Sequence, residues 1–165
     1  MSLSQRIGAT WRPKREHLWQ TLRIIGACAL AYLGAVLIGL PEIYWSLITA
    51  VVVTQPGLSD TLAAGRDRIV ATLAGAILGF VVLEISALGA PKLPLFWAAL
   101  APLALLTAIK PNLRLASATL IVIVIVPSYG GVMVRPLDRV IEILVGVVAS
   151  IVASAALDPA RLWRR

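Results

Sequence analysis

Residues 44–79, YWSLITAVVVTQPGLSDTLAAGRDRIVATLAGAILG, decide how the rest of the chain is read. The opening apolar run, Ile43–Gln55, stops at Pro56. About 13 residues at 1.5 Å rise give roughly 20 Å of helix, short of a hydrocarbon core of about 30 Å. Residues 56–66 (PGLSDTLAAGR) are rich in small side chains and are expected as a loop at the membrane. A second apolar helix is then expected from Asp67, an acid suited to a helix N-terminus, to about Leu88. The pattern returns 71 residues later: Pro127 falls on Pro56, Asp138 on Asp67, Arg139 on Arg68, Leu144 on Leu73 and Gly146 on Gly75. Another short apolar run, Leu115–Val126, stands before Pro127. Two abbreviated, proline-terminated segments at matching positions of two halves point to the binding site of a membrane transporter.

Composition agrees with a bilayer environment. The chain is 59% hydrophobic and only 14% charged, with a mean hydropathy of +0.91. Its charges cluster between apolar stretches too long for a soluble core. The single cysteine, Cys28, lies within the first apolar segment, so no disulfide framework or cysteine metal site is expected. The net charge of +7 is spread around apolar segments, where lipid headgroups account for it better than nucleic acid. His17, the only histidine, lies among these basic residues and is read as a solvated surface group.

The fold expected is an all-α integral membrane protein with six transmembrane helices: Leu22–Leu40, Ile43–Gln55, Asp67–Leu88, Leu95–Ile109, Leu115–Val126 and Pro136–Leu157. Residues 1–21 read as a basic, cytoplasmic, interface-lying segment, 22–157 as the transmembrane domain, and 158–165 as a basic cytoplasmic tail. Repeats of about 22–88 and 95–157 each hold three helices, so the second enters the membrane from the opposite face. That makes them inverted, with the second and fifth helices short and proline-terminated. The IVIVIV run of the fifth would suit a strand in isolation, but lipid favours helix for a lone segment. Pro102 is expected to kink the fourth helix. Ala27/Ala31/Ala35, Ala71/Gly75/Gly79 and Gly146/Ser150/Ser154 form small-residue stripes for close helix packing. Twelve Lys and Arg fall on the side of the termini and three (Lys92, Arg135, Arg139) on the other, which argues for cytoplasmic termini.

Chemistry-bearing groups are few. No paired carboxylates, nucleophile–base set, metal-ligand spacing or phosphate-binding loop is present, so neither an enzyme nor a cofactor is expected. Arg68 and Arg139 are equivalent cations near helix N-termini, which themselves favour anions. With Gln55, Pro56, Pro127 and Tyr129 they form the candidate substrate site, where proline frees backbone groups that lipid cannot satisfy. Tyr129 or Tyr44 offers an aromatic face. The competing reading pairs Arg68 with Asp67 or Asp60, and Arg139 with Asp138 or Glu142, as boundary salt bridges. Glu142, whose repeat equivalent is Ala71, is the candidate proton site.

The run from Tyr44 to Gly79 resembles the signature of the fusaric acid resistance and aromatic acid exporter families. Tyr44, Trp45, Thr49, Gln55, Pro56, Thr61, Arg68, Thr72, Gly75, Ala76 and Gly79 match it. The resemblance implies a six-helix unit, assembly into at least dimers, and export of aromatic carboxylates or related anions. Plant malate channels are similar in overall plan, so a passive anion channel stands as an alternative to proton-coupled export. Family members are several times longer, with a large cytosolic region and often a second six-helix unit. A homodimer would replace that unit; a non-transporting subunit partnering a larger exporter is the third reading. The partners expected are the bilayer, a small organic anion, further copies of the chain, and a periplasmic adaptor for an exporter that uses one.

Overall fold

The computed structural model describes residues 15–126 and 134–157. Pro127 and Tyr129 lie outside the described residues, as do residues 1–14 and the tail 158–165. Six α-helices and one 3-10 turn, with no strand among the described residues, follow in order: α1 (Arg15–Ile38), α2 (Tyr44–Val53), α3 (Leu58–Ala87), α4 (Lys92–Ile109), the turn Pro111–Leu113, α5 (Arg114–Ile125) and α6 (Val134–Ala156).

Four helices, α1, α3, α4 and α6, are long and apolar enough to cross a membrane, rather than six. α2 has 10 residues and α5 has 12. At 1.5 Å per residue they reach about 15 and 18 Å, roughly half of a hydrocarbon core. Their surroundings explain how such short helices persist. α5 lies against α3, and α2 lies against α6 and α1. Each short helix is therefore clasped by the long, glycine-bearing helix of the other half of the sequence. A Cβ at Gly75 would stand 2.8 Å from the Cβ of Thr119, and one at Gly79 would stand 2.8 Å from Ile123 Cγ2. A Cβ at Gly146 would stand 2.5 Å from the carbonyl oxygen of Ser46 and 2.7 Å from the Cβ of Thr49. The small-residue stripes bring backbones together as expected of membrane helices.

The burial pattern is that of a protein solvated by lipid. Leu37 and Leu88 are 85% and 88% exposed, while Ser46, Thr49, Thr61, Ser150 and Ser154 are buried. Large aliphatic side chains thus face outward over a wide surface, which water would penalise and hydrocarbon would not. The core follows the two clasps: Ala27, Ala31, Ala50, Ala149 and Ala153 join α1, α2 and α6, while Ala71, Ala76, Phe96, Leu103, Leu120 and Ile123 join α3, α4 and α5.

The largest departure from the sequence reading concerns residues 56–66. Only Thr54–Gly57 form the connector, because α3 begins at Leu58 rather than at Asp67. Ala63 and Ala64 are strong helix formers, Asp60 sits favourably in the first turn, and the Thr61 hydroxyl donates to Gly57 O at 3.0 Å. Asp67 is consequently no cap; it pairs with Arg66 at 3.4 Å. Arg68 stands about 15 Å along the helix, well inside it rather than at its mouth. α1 also begins earlier than expected, so residues 15–21 continue the first span instead of lying apart from it. It closes at Gly39, whose φ of 74° permits the 3.0 Å bond from Leu40 N back to Ala35 O. α4 runs through Pro102 as one helix.

Candidate functional site

α2 and α5 lie on either side of a small cavity of about 90 Å³. Its walls repeat. Trp45, Ile48 and Val52 line it from α2, and Leu115, Ala118 and Val122, each seventy residues later, line it from α5. Arg68 of α3 and Arg139 of α6, seventy-one residues apart, both border it, with Thr119 and Ile143 completing the wall. The two arginines singled out by the repeat are therefore brought to one place.

Their surroundings differ. Arg139 is 7% exposed and pairs with two carboxylates. One guanidinium arm binds Glu42, in the turn between α1 and α2. The other stands 2.9 Å from Glu142 Oε2, one helical turn on. Its guanidinium carbon also lies 4.7 Å from the Trp45 ring centroid, within cation–π range. Glu42 is held further by the Trp45 indole N–H at 3.0 Å and by the Tyr44 hydroxyl. Partial burial pushes the Glu42 carboxyl up, but the hydrogen bonds from Tyr44 and Arg139 and the arginine charge prevail and hold it below the ordinary carboxylate range. Glu142 is fully buried. The approach of Arg139 is too poorly aligned for a hydrogen bond, so neither Glu142 side-chain oxygen has a hydrogen-bond partner. Its backbone carbonyl accepts from Ser46 Oγ at 2.8 Å.

Arg68 is 5% exposed and, among the described residues, has no carboxylate within ion-pairing distance. Its Nε is buried without a hydrogen-bond partner. Asp67 turns to Arg66 instead. The boundary salt-bridge reading thus describes Arg139 and does not describe Arg68.

Gln55 and Pro56 do not line this cavity. The backbone groups freed at the end of α2 already have protein partners. Arg23, 4% exposed in α1, donates to Pro56 O and, through Nε at 3.2 Å, to Leu157 O beyond α6. Gln20 Nε2 donates to Thr54 O at 3.0 Å, and Gln55 N donates to Thr61 Oγ1 at 3.0 Å. The Gln55 amide returns to Val52 O at 3.1 Å. A charged donor therefore fastens the ends of α2 and α6, where the sequence reading expected open groups for a ligand.

Three residues were missed as functional neighbours: Arg23, Glu42 and Trp45. Arg23 could have been found, since it opens the i, i+4 stripe of Ala27, Ala31 and Ala35 and so faces the protein interior. Glu42 gave no comparable signal, because its partner lies in the other half of the sequence.

Comparison with known proteins gives one match: a family model described as fusaric acid resistance protein-like covers residues 25–158. No curated protein and no solved structure matches the chain.

Proposed function

The chain belongs to the fusaric acid resistance protein-like family, and from that premise we propose that it carries small organic anions, aromatic carboxylates foremost, out of the cell across the inner membrane. The observation that carries this reading is Arg68, a buried arginine at the edge of a cavity and without an acidic partner among the described residues. A guanidinium recognises a carboxylate through paired, charge-assisted hydrogen bonds. Arg139 shares the cavity but is already matched by Glu42 and Glu142, so Arg68 is the primary anion contact. Gln55 and Pro56 are assigned to holding the end of α2.

In this proposal the two halves form an inverted repeat, with α2 and α5 as its proline-terminated half-helices. The cavity walls support it, because residues seventy apart in α2 and α5, and arginines seventy-one apart in α3 and α6, border one cavity. Alternating access follows from such a frame when the halves rock about the site. Both termini are assigned to the cytoplasm from the distribution of basic residues, and the working unit to a homo-oligomer. Labelling of a cysteine at position 92 from outside only, in a Cys28→Ser background, is the expected topological result; labelling from the cytoplasmic side alone contradicts it.

Proton coupling is assigned to Glu142, a buried carboxyl whose protonation would loosen its hold on Arg139. A passive channel is the second reading. It is favoured by the separation of Arg68 from both glutamates, which lets an anion bind regardless of their protonation. Purified protein in liposomes loaded with benzoate distinguishes the two. Efflux that accelerates under an imposed pH gradient at zero potential supports coupling; efflux driven by membrane potential alone supports a channel. Absence of efflux under both conditions contradicts the transport reading.

A further inference from the structure

A buried arginine with no acceptor is expensive to maintain, since a desolvated charge requires a partner. At Arg139 that partner is protein; at Arg68, among the described residues, it is not. The remaining possibilities are water and a mobile anion. Water needs two to four polar partners, acceptors among them; the polar groups here are the guanidinium groups of Arg68 and Arg139, which only donate, and the Thr119 hydroxyl. The rest of the wall is apolar, Ile48, Val52 and Leu115 included. The one wall hydroxyl, Thr119 Oγ1, already donates to Leu115 O at 3.0 Å. Size narrows the anion. At about 90 Å³ the cavity is smaller than the roughly 150 Å³ apolar cavity that admits benzene, and so too small for an aromatic ring with its carboxylate. The apolar side chains of the wall offer nothing to the extra oxygens and second charge of a phosphate or sulfate.

We propose that the cavity beside Arg68 holds a small monovalent inorganic anion, of the size of chloride or nitrate, as a resident counter-ion that the carboxylate of an organic substrate displaces. The displacement step rests on the transport reading above; the binding step stands without it. In the state seen here the cavity is matched to the counter-ion, and it must widen to admit an aromatic acid. Chloride is then both a stabiliser of the empty carrier and a competitor of its cargo.

The test is thermal unfolding of the purified full chain in detergent, with sodium chloride replaced stepwise by sodium isethionate, a larger anion without a carboxylate, at constant ionic strength. The wild-type midpoint is expected to rise with chloride, by on the order of 5 °C when chloride exceeds its dissociation constant a hundredfold. Arg66→Gln, which alters an exposed arginine, should keep that rise, and Arg68→Gln should lose it. Equal wild-type midpoints in the two salts overturn the proposal, as does a full rise in Arg68→Gln. Should Arg68→Gln fail to fold, wild-type crystals grown in bromide decide the matter. An anomalous peak beside the Arg68 guanidinium is expected, and bromide found only at the protein surface overturns the assignment. Benzoate efflux measured separately keeps the two ideas apart: efflux without a halide response defeats the counter-ion alone, and a halide response without efflux defeats the transport reading alone.

Discussion

Arg68 and Arg139, seventy-one residues apart, border the same cavity, yet among the described residues only Arg139 has carboxylate partners. Arg139 finds Glu42 at the start of α2, Trp45 one turn on, and Glu142 on its own helix. Seventy residues on from Glu42 and Trp45 the sequence supplies Asn112 and Leu115, and seventy-one before Glu142 it supplies Ala71. The two clasps pack a short helix on a long, glycine-bearing one in the same way and differ in charge. Arg139 is tied to protein carboxylates, and Arg68, among the described residues, is not. Like packing with an unlike charge pattern is a means of giving one site two unlike sides.

The sharpest way to break this comparison is to remove each arginine in turn and measure stability. Arg139→Gln strands the buried Glu142 without its cation and should cost about 3–5 kcal/mol of unfolding free energy. Arg68→Gln removes a charge that, among the described residues, has no carboxylate partner, and its stability in isethionate should equal or exceed that of the wild type. Equal losses in denaturant unfolding would mean that Arg68 has an unseen partner and that the contrast is false.

Where the halves are alike, matched substitutions should behave alike. Gly75→Leu forces a side chain into Thr119 and the α5 backbone, and Gly146→Leu forces one into Thr49 and Ser46. Each should lower stability by about 1–3 kcal/mol or more, the range for overpacking. Loss at one glycine and none at the other would show that the two clasps are not equivalent. The smallest effect concerns Glu42. Its carboxyl is held below the ordinary range in the folded protein, so its contribution is present above the unfolded value of about 4.3 and is lost as pH falls through the lower, folded value. Glu42→Gln should flatten that part of the acid limb of a stability–pH curve; an unchanged limb would remove Glu42 from the Arg139 cluster.

Much of this was legible in the sequence. The apolar runs, the stripes at Gly75 and Gly146, and the matched arginines gave the helices, their close packing and the two cations of the cavity. What stayed hidden has physical causes. Residues 58–66 carry small and polar side chains that read as loop, but alanines and a well-placed Asp60 let them join α3, which moved Arg68 into the interior. The polar groups at Pro56 were expected to await a ligand, because periodicity cannot show that an arginine 33 residues away reaches them. Glu42 looked like a surface turn residue for the same reason. Side-chain pairing across the two halves is a property of the fold and is not written in local pattern.

The most direct measurement is the concentration dependence of benzoate efflux from liposomes for wild type and Arg68→Gln, at equal amounts of folded, inserted protein. A charge-assisted hydrogen bond is worth about 1.5–3 kcal/mol, so losing the Arg68 contact should raise the half-saturating concentration on the order of tenfold or more. Half-saturation at the wild-type concentration would contradict the assignment of Arg68 as the anion site.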